Sequence, residues 1–262
     1  MRDLRTPLQK EWERLERRET LYLHKRRQKV DSKLNQKLAE KVPANLQSTL
    51  DKAFSKAFYL MFEKGTNIIE KTYKRDELQK AYEINEFTDE VRGTRKSLHA
   101  FSKKAMGAGA VNLLVSGASG IGLGVLGIGL PDIAFLTGTM LRSVYEIALN
   151  YGFDYQDEEE KRFVLLLIQG ALSYGEKLME VNAEINHYIE NGAYTVEANV
   201  DDCIKETAGC LSKELLYMKF LQGIPIVGAV GGAYDAIYMK QIVTYAEMKY
   251  RRRFYDKKRR IV

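Results

Sequence analysis

Residues 105–131 read AMGAGAVNLLVSGASGIGLGVLGIGLP, a stretch with eight glycines and no charged side chain. The fold turns on how this stretch is read, because two architectures compete for it. Gly122, Gly124 and Gly127 satisfy G-x-G-x-x-G, and the VNLLV before them can be written as a strand, which would give a doubly wound sheet with a nucleotide at the turn. The alternative is helix on both sides, with glycine serving close backbone contact.

The nucleotide reading has further points in its favour. SGASGIG looks like the glycine turn of short-chain dehydrogenases, and Tyr245 with Lys249 forms a Y-x-x-x-K pair downstream. Three physical objections outweigh them. The turn is one residue shorter than that spacing, which displaces backbone N–H groups from a pyrophosphate. Pro131 follows Gly129 where a dinucleotide loop would already be inside its helix. Residues 1–104 show helical spacing and few residues follow Lys249, so the strands of a parallel sheet have no place to come from. The motif is a coincidence of glycine density, and no cofactor is implied.

Outward from this stretch the chain reads as helix. Thr6, Pro7 and Gln9 form a capping-box start with proline at the first helical position. Leu8, Trp12, Leu15, Tyr22 and Leu23, continued by Val30, Leu34 and Leu38, make a narrow apolar stripe on a charged segment, so residues 1–43 are expected to be a charged helical arm laid over something. Beyond Pro43, Leu46, Leu50, Phe54, Ala57, Phe58, Met61 and Phe62 recur at helical spacing, with Gly65 as the stop. Asp157 and Glu160 open another helix, whose apolar run Phe163 to Ile168 continues to Leu178. Gly192 closes the next, and three-and-four spacing returns from Val196 to Phe220. No apolar–polar alternation is bounded by hairpin turns. The expected fold is all-α, a multi-helix bundle with glycine-rich helical hairpins, in which residues 44–262 form one domain ending in a basic helix.

Composition removes several classes. With 45% hydrophobic and 29% charged residues the chain is an ordinary globular one, neither disordered nor collagen-like. Cys203 and Cys210 lie seven apart on one helix, too far for a disulfide, and are read as reduced thiols. Glu184 and His187 form a single E-x-x-H pair without the further ligands of a di-iron bundle, so no metal is expected there and His187 reads as solvated. No nucleophile elbow is present, and no catalytic residue is named. The charged N-terminus lacks the apolar core of a secretory signal, which leads to the expectation of a cytoplasmic protein.

The net charge of +6 is concentrated at one end. Lys249, Arg251, Arg252, Arg253, Lys257, Lys258, Arg259 and Arg260 face a single acid, Asp256, and are accompanied by Tyr245, Tyr250, Phe254 and Tyr255. A second uncharged stretch, FLQGIPIVGAVGGAY at 220–234, accompanies them. Gly120 with Gly124, and Gly228 with Gly232, have the small-x-x-x-small spacing that lets helix backbones meet. Val111 to Leu130 is long enough to reach across a hydrocarbon layer of about 30 Å, but six glycines between 117 and 129 disfavour one straight span, so a hairpin turning around Ser116 to Gly120 is expected. Gly117, Gly120, Gly122, Gly124, Gly127, Gly129, Pro131, Gly228 and Gly232 are thus the candidate packing or membrane hairpin. A tightly packed soluble core is the plain reading of these residues; reversible membrane insertion is the functional one. The basic residues of the tail are expected to face an anionic membrane surface, which is favoured over nucleic acid because the uncharged stretches accompany them.

The order GLPDIAFL, then a helix into EIALNYGFD, then RFVLLLIQGAL, and finally IPIVGAVGGAYDAIYMKQIVTYAEMKYRRRF resembles the EcsC family over roughly residues 44–254. The chain departs from the family pattern at Ala134, where proline is frequent. The resemblance implies a predominantly helical protein connected with ABC-type exporter systems, with transporter subunits as partners and no agreed catalytic residues to carry over. Asp132, in the matched GLPDIAFL, is read as a first-turn acid after Pro131 or as a functional carboxylate, and Asp235 is the second candidate acid. The expected function is non-catalytic: a helical protein peripheral to the inner face of the cell membrane, accessory to a transporter. An enzyme acting on a lipid or peptide at the membrane surface and a soluble scaffold without lipid contact are the rivals. The oligomeric state is left open.

Overall fold

A computed structural model describes residues 5–27, 44–115, 131–221 and 233–261. Among them every regular element is helical. Helix α1 (Pro7–Arg27) starts where the capping box places it: the Thr6 backbone N–H donates to Gln9 Oε1 at 2.8 Å, and the Gln9 N–H returns a bond to Thr6 Oγ1 at 3.1 Å. Then come α2 (Ala44–Leu60), a π-helical turn (Met61–Gly65) and the short α3 (Thr66–Glu70). Gly65 is therefore not a stop. It lies buried inside a continuing helix, where a side chain would drive a Cβ to 2.6 Å from Met61 Sδ, and the Thr66 hydroxyl donates to the Met61 carbonyl.

Helices α4 (Arg75–Arg92) and α5 (Arg95–Val115) follow. VNLLV forms the last turn of α5, which removes the strand a nucleotide loop needs. Helix α6 (Pro131–Asn150) begins on its proline, at the position that proline favours. Helix α7 (Glu158–Leu172) starts after Asp157, as the acidic run indicates, and α8 (Gly175–Asn191) ends at Gly192, whose φ of +72° is the left-handed cap that glycine accepts at least cost. Helix α9 (Val200–Leu221) starts four residues later than its sequence periodicity, because the Asn199 side chain accepts the Asp202 N–H at 2.8 Å and fixes the first turn. Helix α10 (Ala233–Ile261) is the longest element among the described residues.

The bundle is organised around α7 and α10. From Phe163 to Leu172 every side chain of α7 is buried, the signature of a helix surrounded by others. Helix α10 packs against α1, α5, α6, α7 and α8, and α9 is covered by α2 and α7. Helices α7 and α10 approach closely where Gly170 faces the Tyr245 ring; a Cβ there would lie 2.5 Å from a ring carbon. Leu15 of α1 is buried in the same core, so α1 lies over the bundle as the stripe indicates and is also a packed part of it. The division at residue 43 falls within residues outside the described set.

The ends of the bundle can be told apart. Ser97 donates to Asp89, Asp89 pairs with Lys258, and the Phe101 ring meets Phe254 in a tilted contact at 4.5 Å. As α5 advances, its α10 neighbours come earlier in sequence, so the two helices are antiparallel. Helix α6 returns to the same level, where Tyr151 meets Phe254 at 5.7 Å. Val115 and Pro131 therefore lie toward the end of the bundle from which α10 departs.

The Gly170–Tyr245 contact predicts that Gly170→Ala destabilises the protein by about 1–3 kcal/mol, although alanine is the better helix former. Urea unfolding of the two proteins measures the difference, and a stabilised variant would contradict the contact.

Candidate functional site

The basic helix end is the first candidate, and the structure corrects its reading. Lys249 has no exposed surface and Arg252 is also buried. Lys249 donates to Glu19 of α1 and to Asn186 Oδ1 of α8 at 2.7 Å, while Arg252 reaches Glu19 at 3.2 Å and Glu190 at 2.9 Å. Arg251 pairs with Glu247, which also accepts from Tyr151 at 3.0 Å and Arg18 at 2.9 Å. Arg253 pairs with the buried Glu160 at 2.6 Å, and Tyr250 donates to the same carboxylate at 2.7 Å. Lys258 pairs with Asp89 at 2.9 Å, Arg259 lies over the Trp12 ring at 4.2 Å, and Arg260 donates to Asp256 and to the carbonyls that end α8. Lys257, Arg259 and Arg260 are exposed. Five of the eight cations thus turn inward, each onto a carboxylate. For these five the structure gives a place inside the fold instead of a lipid-facing one, because carboxylates of α1, α4, α7, α8 and α10 itself already neutralise them.

The electrostatics follow from this burial. Burial pulls the Lys249 ammonium down from 10.5 to about 8, with Glu19 pulling the other way. Burial alone would raise the Glu19 carboxyl; Lys249, Arg252 and Asn186 outweigh it and hold Glu19 below 4.5. For Glu160 burial prevails over Arg253 and Tyr250, and its carboxyl is raised. Arg26 closes the seam at the other end of α1 by donating to the Ala171 carbonyl at 2.6 Å, which caps the C-terminus of α7. Sequence reasoning missed Glu19 and Glu247 as partners of these cations and read Glu160 only as part of a helix start. Their only signal was acidic positions on or beside apolar helical stripes, and their partners lie as far as 230 residues away.

The second candidate is the end of the bundle where the uncharged stretches begin and finish. Gly117, Gly120, Gly122, Gly124, Gly127, Gly129, Gly228 and Gly232 lie outside the described residues, as does the turn expected at Ser116 to Gly120. Asp132 stands in the first turn of α6 and Asp235 in the first turn of α10, and the described side chains include neither. The flanking helices are placed. Tyr238 donates to the Glu214 carbonyl at 2.7 Å, which sets the start of α10 beside α9. Beside that contact Lys213 and Lys240 are exposed, and Ile237 is 46% exposed. This end therefore presents apolar and cationic side chains next to two stretches of sequence that carry no charge.

The E-x-x-H pair separates in its duties. Glu184 accepts from Thr195 and from the Thr195 and Val196 backbone N–H groups at 3.0 and 3.2 Å, which ties down the loop after α8. His187 Nδ1 lies 3.2 Å from the Asn191 amide nitrogen. Among the described residues no group of three His, Cys, Asp or Glu is placed to hold a metal ion, and Cys203 and Cys210 are free thiols.

A model of the EcsC protein family matches residues 9–254, and the chain belongs to that family. The match begins within α1, so the family's domain takes in the N-terminal helix that the resemblance left out. No curated protein and no solved structure matches the chain significantly.

The seam predicts two outcomes in urea unfolding. Glu19→Gln and Lys249→Met each destabilise by about 3–5 kcal/mol, and the double variant loses less than the sum, because each single change strands a buried charge. The unfolded lysine keeps its proton up to 10.5 while the native one releases it at about 8, so between these values the unfolded state binds more protons. Native stability relative to Lys249→Met then rises with pH across that window; a fall would contradict the assignment.

Proposed function

We propose that this EcsC-family protein is a non-catalytic, peripheral membrane protein at the inner face of the cell membrane, and that it meets the bilayer with the end of the bundle where α5 finishes and α6 and α10 begin. The observation that carries the reading is the convergence of two uncharged stretches, 105–131 and 220–234, on helix ends flanked by exposed Ile237, Lys213 and Lys240. Apolar residues beside lysines suit the membrane interface, where the side chain buries its stem and the ammonium reaches anionic headgroups. The inward cations of α10 support the same division of labour, since most of the basic helix end is committed to the fold.

No helix among the described residues is long and apolar enough to cross a membrane. The mode of contact in this reading is shallow insertion of uncharged chain, with attraction of lysine to anionic lipid. A transporter subunit, the partner that the family resemblance implies, would be met at that same surface.

Flotation with vesicles tests the reading. The protein floats with vesicles containing anionic lipid and floats poorly with neutral ones. Lys213→Glu/Lys240→Glu removes the anionic preference, at about 1 kcal/mol for each lysine. Val125→Asp/Leu126→Asp, which puts two charges into the first stretch, lowers binding at least about 100-fold, since one aspartate costs roughly 2.5–3.5 kcal/mol in hydrocarbon. Equal flotation of all three proteins would refute membrane contact at this end.

A further inference from the structure

A cleft of about 570 Å³ opens between α7, α8, α9 and the loop that joins the last two, away from the end assigned to the membrane. Its size falls within the roughly 300–1,000 Å³ of small-molecule sites. Leu166 and Val181 form an apolar floor, and Val196 stands exposed at the loop side.

Two polar atoms belonging to residues of this lining are conspicuous. Among the described residues, the buried Arg162 Nε and Gln169 Oε1 have no hydrogen-bond partner. Both side chains are fixed by their other atoms. The Arg162 guanidinium donates to the Val196 carbonyl at 2.5 Å and lies 3.8 Å over the Tyr194 ring. The Gln169 amide nitrogen is held by Thr207 Oγ1 at 3.0 Å and the Cys203 carbonyl at 3.3 Å, so its oxygen is the free atom of a fixed amide, and the residue is only 1% exposed. Arg162 and Gln169 stand seven residues apart on one face of α7, about 10 Å along its axis, with Leu166 between them. An unsatisfied buried donor or acceptor costs about 1–3 kcal/mol, which a ligand bonded to it recovers.

The charges around the cleft select the ligand further. Glu180, Glu184, Asp202 and Glu206 line it against Lys177 and Arg162, and Lys177 lies 3.8 Å from Glu206. An anion would meet a surplus of carboxylates. Burial pushes the Cys203 thiol up, against the opposing pull of the Arg162 guanidinium beside it.

We infer that this cleft is a binding site for an apolar small molecule, uncharged or cationic, that presents a hydrogen-bond acceptor to Arg162 and a donor to Gln169, as amide groups do. The site is independent of the membrane contact.

The experiment titrates the full-length protein, methyl-labelled at leucine and valine, with three compounds that share a dileucine core and differ in charge and end group: neutral N-acetyl-dileucine amide, cationic dileucine amide and anionic N-acetyl-dileucine. Saturable NMR shifts at the Leu166 and Val181 methyls are expected with the neutral and cationic amides, and binding about tenfold weaker with the anion. Val196→Trp, a change at an exposed position, blocks the cleft and abolishes the shifts, while Gln169→Met weakens the neutral amide by about tenfold through loss of the acceptor. Absence of saturable shifts at both methyls, tightest binding by the anion, or shifts unchanged in Val196→Trp would each overturn the assignment.

Discussion

A lysine ammonium with no access to water would cost on the order of several kcal/mol if it were unpaired, and Lys249 stands at such a position in the middle of the bundle. It is tolerated because Glu19 and Asn186 meet it from two different helices. That requirement reaches far into the fold. Helix α1 must dock with Glu19 inward, and the same docking brings Arg18 to Glu247, Trp12 under Arg252 and Arg259, and Arg26 onto the last carbonyls of α7. The N-terminal helix is thereby tied to the C-terminal one across almost the whole chain, and the family match that starts at residue 9 includes both. Replacing such pairs by apolar groups is often neutral for stability. Their value here lies in register: α1 can satisfy Lys249, Arg252 and Glu247 together in one position only.

This arrangement separates two kinds of surface that look alike in the sequence. The cation-rich end of α10 is the strongest charge feature of the chain, yet most of it is internal and neutralised. The uncharged glycine-rich stretches join helices at the other end, where the exposed Lys213 and Lys240 sit beside the exposed Ile237. A membrane contact made there leaves the ionic seam undisturbed, and the seam in turn holds α5, α6 and α10 so that their ends point one way.

Local signals were legible. The Thr6–Gln9 box, the start of α7 after Asp157, the proline start of α6 and the Gly192 cap each depend on residues within a turn of one another, and the structure has each where its spacing puts it. The apolar stripe of α1 likewise indicated a helix lying over something. Gly65 misled because glycine marks a helix end only when the chain leaves the helix there; here it relieves crowding against Met61 in a π turn. The basic helix end misled for a deeper reason. Whether a lysine faces lipid or a carboxylate depends on acids that are distant in sequence, and neither charge density nor interleaved aromatics carries that information. Gln169 and Arg162 were equally hidden: a polar residue in an apolar run signals a buried partner, but not which of its atoms is left without one.

We propose that the basic helix end serves the interior while the uncharged end meets the bilayer. Amide hydrogen exchange with and without anionic vesicles tests it most directly. The account predicts new protection on vesicle binding in peptides covering 116–130 and 222–232, and none across 249–260. Protection that grows across 249–260 and leaves the two glycine-rich stretches unchanged would contradict it.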